Sequence, residues 1–188
     1  DATPDPWTTV PITAVSSSNL GQGSAYNLGF ERCTGQWVLF LDSDDTLDPD
    51  AVERFLAAAD EHTAIVQCRL RKIDAEGQLL GGMVPYTMHS GDVTPIIRRF
   101  GHYAGPPASG NFYRRSAIAP YFPMPAQTWR RAADTVPFLL GAFHGRIVAL
   151  PEPLGSYRQH RQANARKGLL GNMNRSITEG LHNQQDRR

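Results

Sequence analysis

Trp37-Val38-Leu39-Phe40-Leu41 is a continuous apolar run that leads directly into Asp42-Ser43-Asp44-Asp45. Its length and its β-formers read as a strand covered on both faces, as in a parallel sheet. Carboxylates just beyond such a strand lie where open α/β sheets bind ligands. They can hold a hard divalent cation, Mn2+ or Mg2+, through oxygen. A cation there can bridge two phosphates and offset the charge of a departing diphosphate. Two other readings fit the same residues. The loop can be a solvated lead-in to a helix capped by Asp48, or a calcium loop of EF-hand spacing. The second fails on Leu47, where the tight turn needs glycine, and on Pro49.

Around this segment the pattern alternates strand and helix. Val10–Val15 reads as a short buried strand. Gly21–Cys33 reads as a helix with small residues, Ala25 and Gly29, suited to close packing, and Gly35 can stop it. Asp48-Pro49 looks like an N-cap with proline at the first helical position, the helix running to about Glu61. Ala64–Arg71 is the next strand, and Asp74–Gly77 a turn into another. From Gly81 to Pro125 the chain is punctuated by glycine and proline, as functional loops often are. A helix is expected from about Arg131 to His144, with Pro137 in its first turn or at a kink. A short strand, Arg146–Leu150, follows, and 166–188 is polar. The expected fold class is α/β, a mixed, mainly parallel sheet flanked by helices.

Composition removes several alternatives. The 188 residues carry a formal net charge of +1 with pI near 8.0, so no nucleic-acid partner is indicated. Cys33 and Cys68 form no CxxC pair, which argues against zinc and for reduced cytosolic thiols. No run is long enough to span a membrane, and the start lacks the features of a signal peptide. A cytoplasmic protein is expected, with peripheral association at the inner membrane face left open.

Asn19-Leu20-Gly21, Ala25-Tyr26-Asn27-Leu28-Gly29 and Gly35-Gln36-Trp37-Val38-Leu39-Phe40-Leu41-Asp42-Ser43-Asp44-Asp45 together resemble the family 2 glycosyltransferases of the GT-A fold. Their pattern runs N-x-G, A-R-N-x-G, G-x-[YW]-[VI]-x-F-L-D-x-D-D. Tyr26 departs from it, standing where the family usually has Arg. Asp1-Ala2-Thr3-Pro4-Asp5 is similar to the end of the family's nucleotide-base loop. Ser109–Ser116 resembles its segment before the acceptor site, and Pro153–His160 its Y-R-x-H segment. The resemblance covers 1–165, taken as one domain. It also implies a strand, helix and strand ahead of residue 1.

The resemblance implies inverting transfer of a sugar from a nucleoside-diphosphate donor to a carbohydrate or lipid-linked acceptor. Asp44 is then the leading metal ligand, with Asp42 and His160 as further candidates. Asp1, Asp42, Asn27 and Arg158 are candidates for donor contact, with Asp45 in support. Asp134 is the candidate general base, since an ionised carboxylate can accept the proton of an attacking hydroxyl. A strongly raised pKa there would count against the role. Capping the following helix is the other reading of Asp134. A nucleotidyltransferase and a non-catalytic nucleotide- or glycan-binding domain are the rival functions. Released nucleoside diphosphate, pyrophosphate or no product at all would separate the three.

Overall fold

The computed structural model describes residues 11–160. Asp1, Asp5, Val10 and the polar segment 166–188 lie outside them. Residues 11–20 form no regular element and are exposed, so the strand expected from Val10 to Val15 is absent over its described part. Pro11 has no amide to give a ladder, and Ile12 and Val15 find no sheet to cover them.

The first helix, α1 (Gln22–Arg32), buries Gly23, Tyr26 and Phe30. Tyr26 and Phe30 are one turn apart and so share a face. Its close-packing glycines are not the expected ones. Gly29 has open space where a Cβ would be, whereas a Cβ on Gly23 would stand 2.6 Å from the Trp129 carbonyl oxygen. Strand β1 (Trp37–Leu39) follows, then the acidic loop and the two-residue strand β2 (Thr46–Leu47). Helix α2 (Ala51–Ala58) starts after Asp50, without a side-chain cap. Asp48 is therefore not its cap. Its carboxylate instead takes both Arg71 nitrogens at 2.9 Å, a bidentate geometry only arginine provides.

The long strand β3 (Thr63–Ile73) turns at Asp74 into β4 (Leu79–Val84). The Asp74 carboxylate accepts the amides of Glu76 and Gln78, and Gly77 takes the left-handed conformation at φ 87°. Helix α3 (Thr94–Phe100), β5 (Asn111–Arg114), α4 (Arg115–Ile118), α5 (Thr135–Gly141) and β6 (Arg146–Arg158) complete the chain. Pro137 sits in the first turn of α5, where its missing amide costs nothing.

These strands form one mixed sheet of order β1-β5-β3-β6-β2, with β4 also on β3. The α/β class is as expected, but only β3 and β6 pair in parallel among the described strands. The expected two-sided cover of Trp37–Leu41 is not met either: β1 ends at Leu39 on the edge of the described sheet, only Val38 is buried, and Leu41 is exposed. Strand β6 is much longer than Arg146–Leu150. Pro151 and Pro153 suggest an end, but the strand bulges past them, Cys68 pairing with Leu150 and Arg69 with Pro153. Arg71 donates to the carbonyls of Pro153 and Gly155 across that bulge. The result carries β6 on to Arg158, beside the acidic loop.

Two apolar clusters flank the sheet. Phe30, Ile65, Tyr113, Ile118 and Ile147 lie in one, and Phe55, Val66, Leu70, Phe112 and Leu154 in the other. Between them the fully buried Gln67 donates to Asn111 at 2.8 Å and to the Tyr103 hydroxyl at 3.2 Å. Asn111 in turn donates to the Pro107 carbonyl. This network fixes the 3-10 turn Ala108–Gly110 that precedes β5.

Candidate functional site

That turn supports the acidic loop. The fully buried Ser109 hydroxyl accepts the Asp42 amide at 3.0 Å and donates to the Asp45 carboxylate at 2.7 Å. The other Asp45 oxygen accepts the Arg158 amide at 2.9 Å. Asp45 is thus the buried hub that ties the loop to β5 and β6. Burial raises its pKa, while Ser109 and the Arg158 amide favour the ionised form.

Fixing Asp45 in this way leaves its neighbours to face outward. His160 Nε2 lies 2.7 Å from Asp44 Oδ2, and both side chains remain substantially exposed. The Asp42 carboxyl is pushed up to about 6, first by burial and then by the charges of Asp45, Asp134 and Asp44. Asp134, at the start of α5, therefore shares its field with Asp42. The pKa of Asp134 is itself raised by burial, opposed by the amides of Asp134 and Thr135.

The loop that carries Asp134 hangs from α1. The Gln22 and Gly23 amides donate to the carbonyls of Arg130 and Trp129. The Gln22 side chain accepts the Ala133 amide at 2.8 Å. Asn27 binds the Met124 backbone twice, donating to its carbonyl and accepting its amide, each at 2.8 Å. These contacts supply the donors at a helix N-terminus with acceptors and place Asp134 opposite the acidic loop. Tyr26 packs its ring on Phe40 at a centroid separation of 4.1 Å, so it fills its position as a packing residue.

The structure thus joins Asp44 to His160 and sets Asp42 in the field of Asp134, while Asp45 is buried within the loop and Asn27 and Arg158 hold backbone. The Asn27 amide is committed to Met124. The Arg158 guanidinium donates to the carbonyls of Asp44, Asp74 and Ala75 at 2.8, 2.8 and 2.9 Å. Both hold backbone that positions the site. Asp42 does not join Asp44 and His160 as a third ligand, and no group of three such side chains suited to a metal occurs among the described residues. Asp1 lies outside the described residues. No helix among them is long and apolar enough to cross a membrane. Ser109 and Gln22 escaped sequence reasoning, since a serine or glutamine gains its role only from a distant partner.

The sequence pattern of glycosyl transferase family 2 matches residues 10–122, more than half of the chain. The chain belongs to glycosyltransferase family 2. It is 33% identical over 152 residues to an uncharacterized glycosyltransferase of Nostoc sp., covering 79% of this chain and 47% of that one. It is 40% identical over 81 residues to chondroitin synthase of Escherichia coli, covering 42% of this chain and 12% of that one. The fold is similar to the crystal structure of S. aureus TarS 1-349 in complex with UDP. That match has a TM-score of 0.56 at 20% identity and covers 77% of this chain and 42% of TarS 1-349. The family 2 chain thus spans about half the length of the Nostoc relative.

Proposed function

We propose that this chain carries the donor- and cation-binding core of an inverting, nucleoside-diphosphate-sugar-dependent glycosyltransferase acting in polysaccharide synthesis. The observation that carries the reading is the Asp44–His160 pair above the Asp42–Asp45 loop, with Asp134 facing it. The acceptor is a carbohydrate or lipid-linked hydroxyl, and the work is done in the cytoplasm, at the inner membrane face where the acceptor is lipid-linked.

The donor set suits Mn2+ or Mg2+. A carboxylate and an imidazole are too few for a closed protein cage, but Mg2+ sites commonly use one or two protein ligands and complete the shell with phosphate oxygens. Asp44 and His160 would hold the cation, which supplies charge neutralisation to the leaving diphosphate. Asp42 faces the donor beside them. Asp134 accepts the acceptor hydroxyl's proton as that oxygen attacks the anomeric carbon from the side opposite the diphosphate, which inverts the centre. Asn27 and Arg158 act indirectly, by holding the backbone behind Asp134 and Asp44.

UDP is the first nucleotide to try, since TarS was crystallised with it. Titration of UDP with Mn2+, with chelator, and against Asp44→Ala and His160→Ala tests the reading. Expected is cation-dependent binding that Asp44→Ala abolishes and His160→Ala weakens, with melting little changed. Equal affinity under all four conditions rejects the cation site.

A further inference from the structure

A groove of about 600 Å3 runs along the other side of the β3–β4 hairpin, lined by Arg69, Lys72, Gly82, Met83, Pro85 and Tyr86. It contains two cations and no carboxylate. Among the described residues Arg69 Nε is buried without a hydrogen-bond partner, and Nη2 of the same guanidinium donates to the Tyr86 carbonyl at 3.5 Å. A buried donor left unpaired is costly, and a ligand oxygen would satisfy it. Tyr86 stands 95% exposed beside it, whereas Tyr26, Tyr103 and Tyr113 are packed in the core. An aromatic face that packs on nothing is suited to stacking on a sugar ring.

The groove also adjoins the acidic loop. Lys72 pairs in register with Tyr157 and Ile73 with Arg158, and neighbouring strands lie about 5 Å apart. The Tyr157 hydroxyl feels the charges of Asp45, Asp44 and Asp42. The groove thus lies one strand over from the residues that lead to the acidic loop.

We infer that the Arg69–Lys72–Tyr86 groove binds an anionic saccharide chain, its acidic substituents pairing with the two cations while Tyr86 stacks on a ring. Calling that chain the acceptor rests on the proposed transferase reading; the binding itself does not. A saccharide fits better than a lipid surface because the cations line a recess. The most exposed leucines of β4, Leu79 and Leu80, do not line it.

The test is titration of the full chain with four probes: an oligo-uronate, a neutral oligosaccharide of equal length, inorganic phosphate, and vesicles containing phosphatidylglycerol. Arg69→Gln, Lys72→Gln and Tyr86→Ser are compared, the last two being the safer for folding. The oligo-uronate should bind in a salt-dependent way, and each variant should weaken it about tenfold, the loss of one charged or stacking contact. UDP affinity should not change. Equal binding of the neutral chain, or unaffected variants, overturns the inference. So does vesicle binding that the variants abolish, which would mark a lipid surface, or phosphate competing at the oligo-uronate's own affinity, which would mark a simple phosphate site. Loss of UDP binding in the variants would make the groove part of the donor site and also overturn it. Oligo-uronate binding by a chain that ignores UDP would support the groove while removing the transferase reading.

Discussion

Asp42 and Asp48 open and close the same loop, yet the fold treats them in opposite ways. Asp48 is matched by Arg71 through two 2.9 Å bonds, and Arg71 also holds the β6 bulge. Asp42 receives burial and three neighbouring negative charges. One carboxylate serves architecture, and the other is held in a field that favours an incoming cation or proton. Crowding of like charge of this kind clusters at functional sites. Proximity in sequence is therefore a poor guide to role here; the partner on the facing strand decides it.

The largest expected effect lies on the functional side of that contrast. In the active protein, Asp134→Asn should reduce transfer about 10²–10⁴-fold, the usual worth of acid–base catalysis, with UDP affinity unchanged and melting no lower, since burial disfavours the carboxylate it replaces. Single-turnover assays and nucleotide titration check it. Lost donor affinity would move Asp134 into the donor site, and unchanged turnover would remove it from the mechanism.

Asp48→Ala should do the reverse. It leaves Arg71 without its counter-ion, at a cost of about 1–3 kcal/mol for a partly exposed pair. Urea unfolding should show the loss, while the folded fraction still binds UDP with Mn2+. An unmoved midpoint would dissolve the contrast between the two aspartates.

Ser109→Ala falls between the two. The Asp42 amide and the Asp45 carboxylate each lose a partner, for about 1–2 kcal/mol of stability. Because both partners lie in the acidic loop, UDP affinity should fall as well. Stability lost without affinity would make the turn before β5 a structural support only.

The smallest effect is a gain. The unfolded Asp42 carboxyl ionises near about 4, and the folded one at about 6. The unfolded chain therefore loses its proton first as pH rises. Folded stability falls between those values and stays lower above them. Asp42→Asn should raise the unfolding free energy at pH 8 by about 1 kcal/mol after allowing for partial exposure, and not at pH 4. It should also weaken UDP binding. A variant whose gain over the parent chain is no larger at pH 8 than at pH 4 would show that Asp42 is not under strain.

Much of this was legible before any coordinates. The strand at Trp37, the acidic loop, the Asp74 turn and the helix carrying Pro137 follow from local chemistry. Short patterns single out Asp44, His160 and Asp134; the structure pairs Asp44 with His160 and places Asp134 within the field of Asp42. What escaped depends on distant pairing. The prolines in β6 read as a stop because the bulge that absorbs them requires β3 opposite. Arg158 reads as a phosphate clamp until its guanidinium is seen to hold three carbonyls. Asp48 reads as a cap because Arg71, its true partner, lies on another strand.

The contacts between α1 and the loop before α5 carry one more consequence. The hydrogen bonds use main-chain groups on the loop, namely the Met124 amide and carbonyl, the carbonyls of Trp129 and Arg130, and the Ala133 amide, while Tyr26 packs in one apolar cluster with Met124, Ala133 and Trp129. Main-chain groups survive nearly every substitution except one to proline at an amide donor. The exposed side chains Gln127, Thr128, Arg130 and Arg131 can therefore change identity while the hydrogen-bonded backbone path to Asp134 is kept, whereas Trp129 is tied to the apolar cluster. The outward surface of this loop is thus uncoupled from the placement of Asp134. Lineages can try new surfaces on this loop without rebuilding the chemistry next to it.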